Sequence, residues 1–142
     1  MNAAERETEM GRSKLVRDAD FPSKPGVYIV WNASVDGVPL YIGVAATQTI
    51  AERWRRQHLY PRAGGSALRR TLGVHLGLVS QKLRRPQRYY PRDVEAAITS
   101  YLETCRIEFR PTRDAAQARA LEDKLIQSLK PALNLRRSRI GA

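Results

Sequence analysis

Apolar positions along this chain change period several times, and each change marks an element. Gly26-Val-Tyr-Ile-Val-Trp31 is a run of β-branched and aromatic residues and predicts a strand. Val38-Pro-Leu-Tyr-Ile-Gly43 predicts the return strand, with Asp36-Gly37 as the reverse turn of an antiparallel hairpin. Pro39 brings no N–H to that strand, which points to an edge position. Beyond it the spacing lengthens. Ile50 and Trp54, four apart, predict a short helix over 50–59, and Leu68, Leu72, Leu76 and Val79 predict a second, capped by Ser66. A proline-bounded loop follows over 81–91. Val94, Ala97, Ile98, Tyr101 and Leu102 then lay out a helix from Asp93 to Cys105. Arg106 to Arg110 alternates, with Ile107 and Phe109 facing inward as a third strand. Thr112 or Asp114 caps a last helix that ends before Pro131.

The order β-β-α-α-α-β-α predicts an α/β fold: a small three-stranded antiparallel sheet flanked by helices. A hairpin alone is not stable, so the third strand and last helix must close over it. That closure brings Tyr28, Tyr41 and Glu122 within reach of one another. Residues 1–20 alternate charges and read as a flexible or weakly helical extension. Phe21 to Pro25, with two prolines, opens a domain over 21–142 that carries a basic helical insertion at about 60–105. No apolar run approaches the ~20 residues of a membrane span, so no membrane partner is expected. The single Cys105 cannot form an internal disulfide and is expected as a half-buried small hydrophobe in a reducing, cytoplasmic setting. Oligomeric state leaves no mark on the sequence.

Charge changes the picture. Of 25 Lys and Arg residues, eleven lie between Arg53 and Arg92, where Asp and Glu do not occur; the fourteen outside it balance the 14 acidic residues, so this segment carries the whole net charge of +11. A single contiguous positive stretch suits a polyanion, and arginine forks suit phosphate. Arg55, Arg56, Arg69, Arg70, Arg84, Arg85 and Arg88 are the candidate nucleic-acid contacts, and Tyr89 and Tyr90 add stacking surface to them.

Individual residues stand out from their surroundings. Glu122 falls within the apolar arc of Ala118, Leu121, Leu125, Ile126 and Leu129, where an ionised carboxylate needs a cation or strong donors. The pattern leaves two readings even: a functional acid, or a glutamate at the rim salt-bridged to an arginine. Arg53 borders the Ile50/Trp54 face, whereas Arg55 and Arg56 point outward. Trp54 reads as core or as a wall of a site. His58 at the helix end reads first as a surface residue or cap, and only second as a proton shuttle. Tyr28 and Tyr41 serve equally as ordinary strand residues or as phenols that orient a water. Gly43 reads as a strand end or as room for a phosphate.

Taken together in order, Gly26-Val27-Tyr28, Tyr41-Ile42-Gly43 after twelve intervening residues, Ile50-x-x-Arg53, the Glu122 helix and Pro131-x-x-Asn134 resemble the GIY-YIG nuclease family over Lys24 to about Asn134. The resemblance implies a metal-dependent endonuclease acting on nucleic acid, with DNA the expected substrate and RNA left open. By it, Tyr28, Tyr41, Arg53, Glu122 and Asn134 are catalytic, and His58 and Gly43 have minor parts. Glu122 would hold Mg2+ or Mn2+, one tyrosine would act as general base, and Arg53 would stabilise the transition state. The alternative is a nucleic-acid-binding protein that keeps the fold and does not cleave. Two departures stand against the family pattern: Val44 replaces a lysine after the second glycine, and a histidine expected four residues after Arg53 is Gln57, with His58 one step further round.

Overall fold

The computed structural model describes residues 13–32 and 37–134 of the chain. Its elements are β1 (Lys14–Leu15), β2 (Gly26–Trp31), β3 (Tyr41–Ala45), α1 (Ile50–Arg53) running into a π turn (Trp54–His58), α2 (Ala67–His75), α3 (Arg92–Thr104), β4 (Arg106–Pro111) and α4 (Ala115–Leu129). The antiparallel sheet has four strands in the order β1-β4-β2-β3, where the sequence predicts three. The additional strand comes from the segment read as an extension. It is two residues long, too short to show a period, and tertiary contacts make it: Arg106 reaches Ser13 Oγ and O at 2.8 and 2.9 Å, and Val16 N donates to Cys105 O. Residues 1–12 and the 33–36 part of the hairpin turn lie outside the described residues.

β2 is the central strand, buried along its whole length because both faces carry helices. One face (Tyr28, Val30, with Tyr41, Ala45 and Ile107) packs on Trp54, Leu68, Leu72, Ile98 and Leu102. The other (Val27, Ile29, Trp31, with Ile42) packs on Leu125, Ile126 and Leu129 of α4. Burial on both faces explains why this strand reads as a continuous apolar run, without alternation. Ile107 and Phe109 both turn to the first face, as expected.

β3 begins at Tyr41 and not at Val38. The stretch before it is occupied differently: the carbonyls of Pro39 and Leu40 accept from Ala132 N and Leu133 N of the chain leaving α4. That chain therefore covers part of the free edge of β3. Helix α2 stops at His75, short of the expected Val79. Gly77 takes φ +72°, and Leu78 N and Val79 N turn back to Gly73 O at 3.0 and 3.2 Å. Ser66 and Asp114 cap α2 and α4 through Arg69 N and Gln117 N. Cys105 is fully buried, and burial pushes its thiol up to about 12. Among the described residues no helix is long and apolar enough to cross a membrane.

Candidate active site

The register of the hairpin sets the site. Tyr28 stands opposite Gly43 and Val30 opposite Tyr41, so both tyrosines project from the same face, towards α1. Their rings lie 6.5 Å apart. Gly43 is obligatory for this arrangement: a Cβ there would lie 2.5 Å from Cε2, Cζ and the hydroxyl oxygen of Tyr28. The space expected for a phosphate is filled by the neighbouring phenol.

Tyr28 is completely buried, and its hydroxyl sits between two partners. Arg53 Nε donates to it at 3.1 Å, and His58 Nε2 lies 2.6 Å away. Trp54 meets both rings edge-on, at 5.4 Å from Tyr28 and 4.9 Å from His58, so it walls the group from inside. His58 Nδ1 lies 2.7 Å from Ser66 Oγ, which also caps α2. The expectation of a surface histidine is therefore overturned. The cause is local: Leu59 N donates to Trp54 O, a five-residue bond that widens the last turn of α1. A π turn takes up one additional residue. It returns His58 to the Tyr28 side although it follows Arg53 by five residues.

Electrostatics keep this group in a defined state. Burial drives the Tyr28 phenol strongly upward, Tyr41 adds to the shift, and the opposing pull of Arg53 is smaller. Burial, then Arg53 and Arg69, hold His58 well below the ordinary imidazole value, so the ring is neutral. A neutral ring has one donor and one acceptor nitrogen, so Tyr28 and Ser66 are bound in complementary senses. Burial works against the Arg53 guanidinium, but Tyr28, Tyr41 and Glu122 together raise it above the ordinary arginine value.

Glu122 comes from the opposite face of the sheet. It is 1% exposed, on α4, and with Tyr41, Val44, Arg53, Ala67, Thr71 and Leu133 it lines a cleft of about 240 Å3. Side chains from both faces meet there because β3 is an edge strand, around which α4 and α1 approach each other. Val44, in the place of the expected lysine, is an apolar wall of the cleft. Asn134 does not line the cleft. It grips the β3 backbone, its Oδ1 accepting from Ile42 N at 2.8 Å and its Nδ2 donating to Ile42 O at 2.6 Å.

The candidate nucleic-acid arginines divide. Arg55, Arg56, Arg84, Arg85 and Arg88 are exposed; Arg56 also lies 3.8 Å from Glu52. Arg70 is half-buried and donates to Gly64 O. Arg69 cannot touch a substrate: it has no exposed surface and is ion-paired with Glu95 at 2.9 Å, with further bonds to Thr99 Oγ1, Glu95 O and His58 O. Its role is to hold the insertion together behind His58. No local signal in the sequence marks the Arg69–Glu95 pair, since Glu95 lies 26 positions on, in α3.

A family model described as the GIY-YIG catalytic domain matches residues 19–140. Among solved structures, the chain is similar to the GIY-YIG N-terminal endonuclease domain of UvrC from Thermotoga maritima bound to its catalytic divalent cation, magnesium, at 22% identity over 95% of this chain and 100% of that one, with a TM-score of 0.42. A point mutant of the same domain, also bound to its catalytic divalent cation, is 25% identical over 96% of this chain and 100% of that one, with a TM-score of 0.42. No curated protein matches the chain. The family model spans the strands and helices around the cleft, from the strand carrying Tyr28 to Asn134; the chain belongs to the GIY-YIG catalytic domain family.

Proposed function

We propose that this chain hydrolyses phosphodiester bonds in DNA with a divalent cation, Mg2+ or Mn2+, held at Glu122. The observation that carries the reading is the cleft at the edge of β3, where Tyr41, Arg53 and the buried Glu122 share one space and the Tyr28–His58 pair stands behind them. The donor set fits such an ion. Among the described residues no three His, Cys, Asp or Glu side chains gather as a metal site, so the nitrogen and sulfur ligands of a zinc centre are missing there. A single carboxylate beside open volume suits a hard dication that keeps most of its waters and takes other oxygens from phosphate. When bound, the ion supplies charge neutralisation at the phosphate and polarises a water.

The protein groups do the rest. Tyr41, the tyrosine that lines the cleft, takes the proton of the attacking water as general base. Tyr28, buried behind the lining, donates to Nε2 of His58, whose Nδ1–H holds Ser66 Oγ, and its hydroxyl oxygen fixes Arg53 from the inside. Arg53 stays charged and offsets negative charge on the phosphorane-like transition state. Tyr41 orients the water, and Asn134 fixes β3 so that Tyr41 and Glu122 keep their spacing. Arg55, Arg56, Arg70, Arg84, Arg85 and Arg88 hold the DNA backbone.

Nicking of supercoiled plasmid at low salt, with Mg2+ or Mn2+, tests the reading in the native chain and in Glu122→Ala. The expected result is cation-dependent nicking in the native chain and loss of it in the variant. Equal DNA binding with no nicking by either would leave a nucleic-acid-binding protein of this fold.

A further inference from the structure

The insertion builds a second feature, one helix away from the reaction cleft. Ala67 and Thr71 of α2 turn to that cleft, whereas the Arg70 carbonyl and Gly73 of the same helix meet Tyr90. The separation is therefore on the order of one helix diameter, ~10 Å. Beyond Tyr90 lie two clefts with a shared wall. The larger, about 540 Å3, is lined by Pro61, Tyr89, Tyr90, Arg92, Glu95 and Ala96. The smaller, about 180 Å3, has Lys82, Arg84 and Gln87 among its lining and again Tyr89. Tyr89 stands between them, 56% exposed.

An exposed ring on a surface loop is ordinarily mobile, but the backbone around this one is tied on both sides. Tyr90 N donates to Glu95 Oε2 at 3.0 Å, and Tyr90 OH donates to Arg70 O and accepts from Leu83 N. Gly64 N donates to Arg88 O at 2.8 Å. The opposite wall is fixed by the same carboxylate, because Ala63 N donates to Glu95 Oε2 at 2.8 Å. Glu95 is 3% exposed and its other oxygen is held by Arg69 Nε and Nη2. One buried ion pair thus sets the spacing of the larger cleft. The exposed charged residues that line the two clefts beside the ring are positive: Lys82 and Arg84 in the smaller, Arg92 in the larger.

We propose that Tyr89 is a stacking platform for an unpaired nucleotide of the substrate, with Lys82 and Arg84 on one flank and Arg92 on the other meeting the adjoining phosphates. A duplex base has both faces covered by its neighbours, so an open aromatic face framed by cations selects single-stranded or splayed nucleic acid. The inference rests on the nuclease reading above and gives it a substrate class: nucleic acid with an unpaired nucleotide close to the scissile bond.

The test is equilibrium binding by the full chain, with divalent cations chelated, of an oligodeoxynucleotide carrying 2-aminopurine, as a single strand and in a duplex. Stacking is expected to quench the probe in the single strand. Tyr89→Ala should abolish the quench and weaken single-strand binding about tenfold, with duplex affinity little changed, while Tyr89→Trp keeps both signals. A Tyr89→Ala chain that quenches and binds the single strand as the native chain does overturns the platform, as does an equal loss on duplex. If the native chain binds neither form, the nucleic-acid reading itself falls and takes the platform with it.

Discussion

Gly43→Ala isolates the contact on which the hairpin half of the site depends. The new Cβ would stand 2.5 Å from three atoms of the Tyr28 phenol, more than about 1 Å inside the ~3.5–4.0 Å optimum for carbon contacts. Neither partner has room to yield. Tyr28 sits on a strand paired on both sides, with no exposed surface, and its hydroxyl is tied to Arg53 and His58. Overpacking of this kind costs about 1–3 kcal/mol. The loss of glycine freedom in the unfolded chain returns about 0.4–1 kcal/mol, leaving a net destabilisation of up to about 2.6 kcal/mol, with a midpoint of about 1.3 kcal/mol. Urea unfolding of four proteins measures it: native, Gly43→Ala, Tyr28→Leu and the pair. Leucine lacks the three atoms that clash, so in that background Gly43→Ala should be neutral or slightly stabilising. An equal cost in both backgrounds would refute the account, because the glycine would then be required for a reason unrelated to the phenol.

Three further outcomes follow from the same structure. His58 is held neutral by burial, then by Arg53 and Arg69, so only the unfolded chain takes up its proton near pH 6.5. Its contribution to stability is full above that pH and falls below it by up to about 1.4 kcal/mol per pH unit until the folded value is reached. Urea unfolding from pH 7 to 5 should show a shallower loss for His58→Gln, and identical slopes would count against a buried neutral ring. Glu95→Gln leaves Arg69 buried without its counter-charge; denaturation should show a loss of about 3–5 kcal/mol, much of it restored when Arg69→Met is added. Changing Arg84, Arg85 and Arg88 together to Ala should lower the log–log salt slope of duplex DNA binding by about 2.7, at ~0.9 per phosphate contact, and an unchanged slope would place the loop off the binding surface.

What could be read from the sequence was what local periodicity encodes. The hairpin shows as two β-branched and aromatic runs about a turn signal, and the last three helices and the inward pair Ile107 and Phe109 each leave a repeat of three and four or of two. The Glu122 anomaly was legible for the same reason, since a carboxylate inside an apolar arc breaks the repeat visibly. The misses share a different physics. Lys14–Leu15 is a strand only because β4 accepts it. Arg69 was assigned to DNA on charge alone, and nothing local shows that its counter-ion is Glu95, 26 positions away on another helix. His58 was misread because an ideal helix puts residue i+5 on the wrong side of Arg53, and the sequence carries no marker for the wider turn that corrects it.

The edge position of β3 unites these observations. Two side chains on opposite faces of a central strand cannot share a solvent cleft, since the sheet and its neighbours lie between them. At an edge they can, and the family of contacts around β3 follows from that. Tyr41 projects from one face, Glu122 arrives from the helix on the other, and Arg53 bridges to the buried Tyr28. An unprotected edge invites pairing with another chain, and here Asn134 occupies it with its amide, making the two bonds to Ile42 that another strand would make. The same contact fixes the chain after α4 against β3, and so sets the distance between acid and phenol. Asn134 therefore acts on the site from outside the cleft, as a positioning residue whose amide replaces a missing strand.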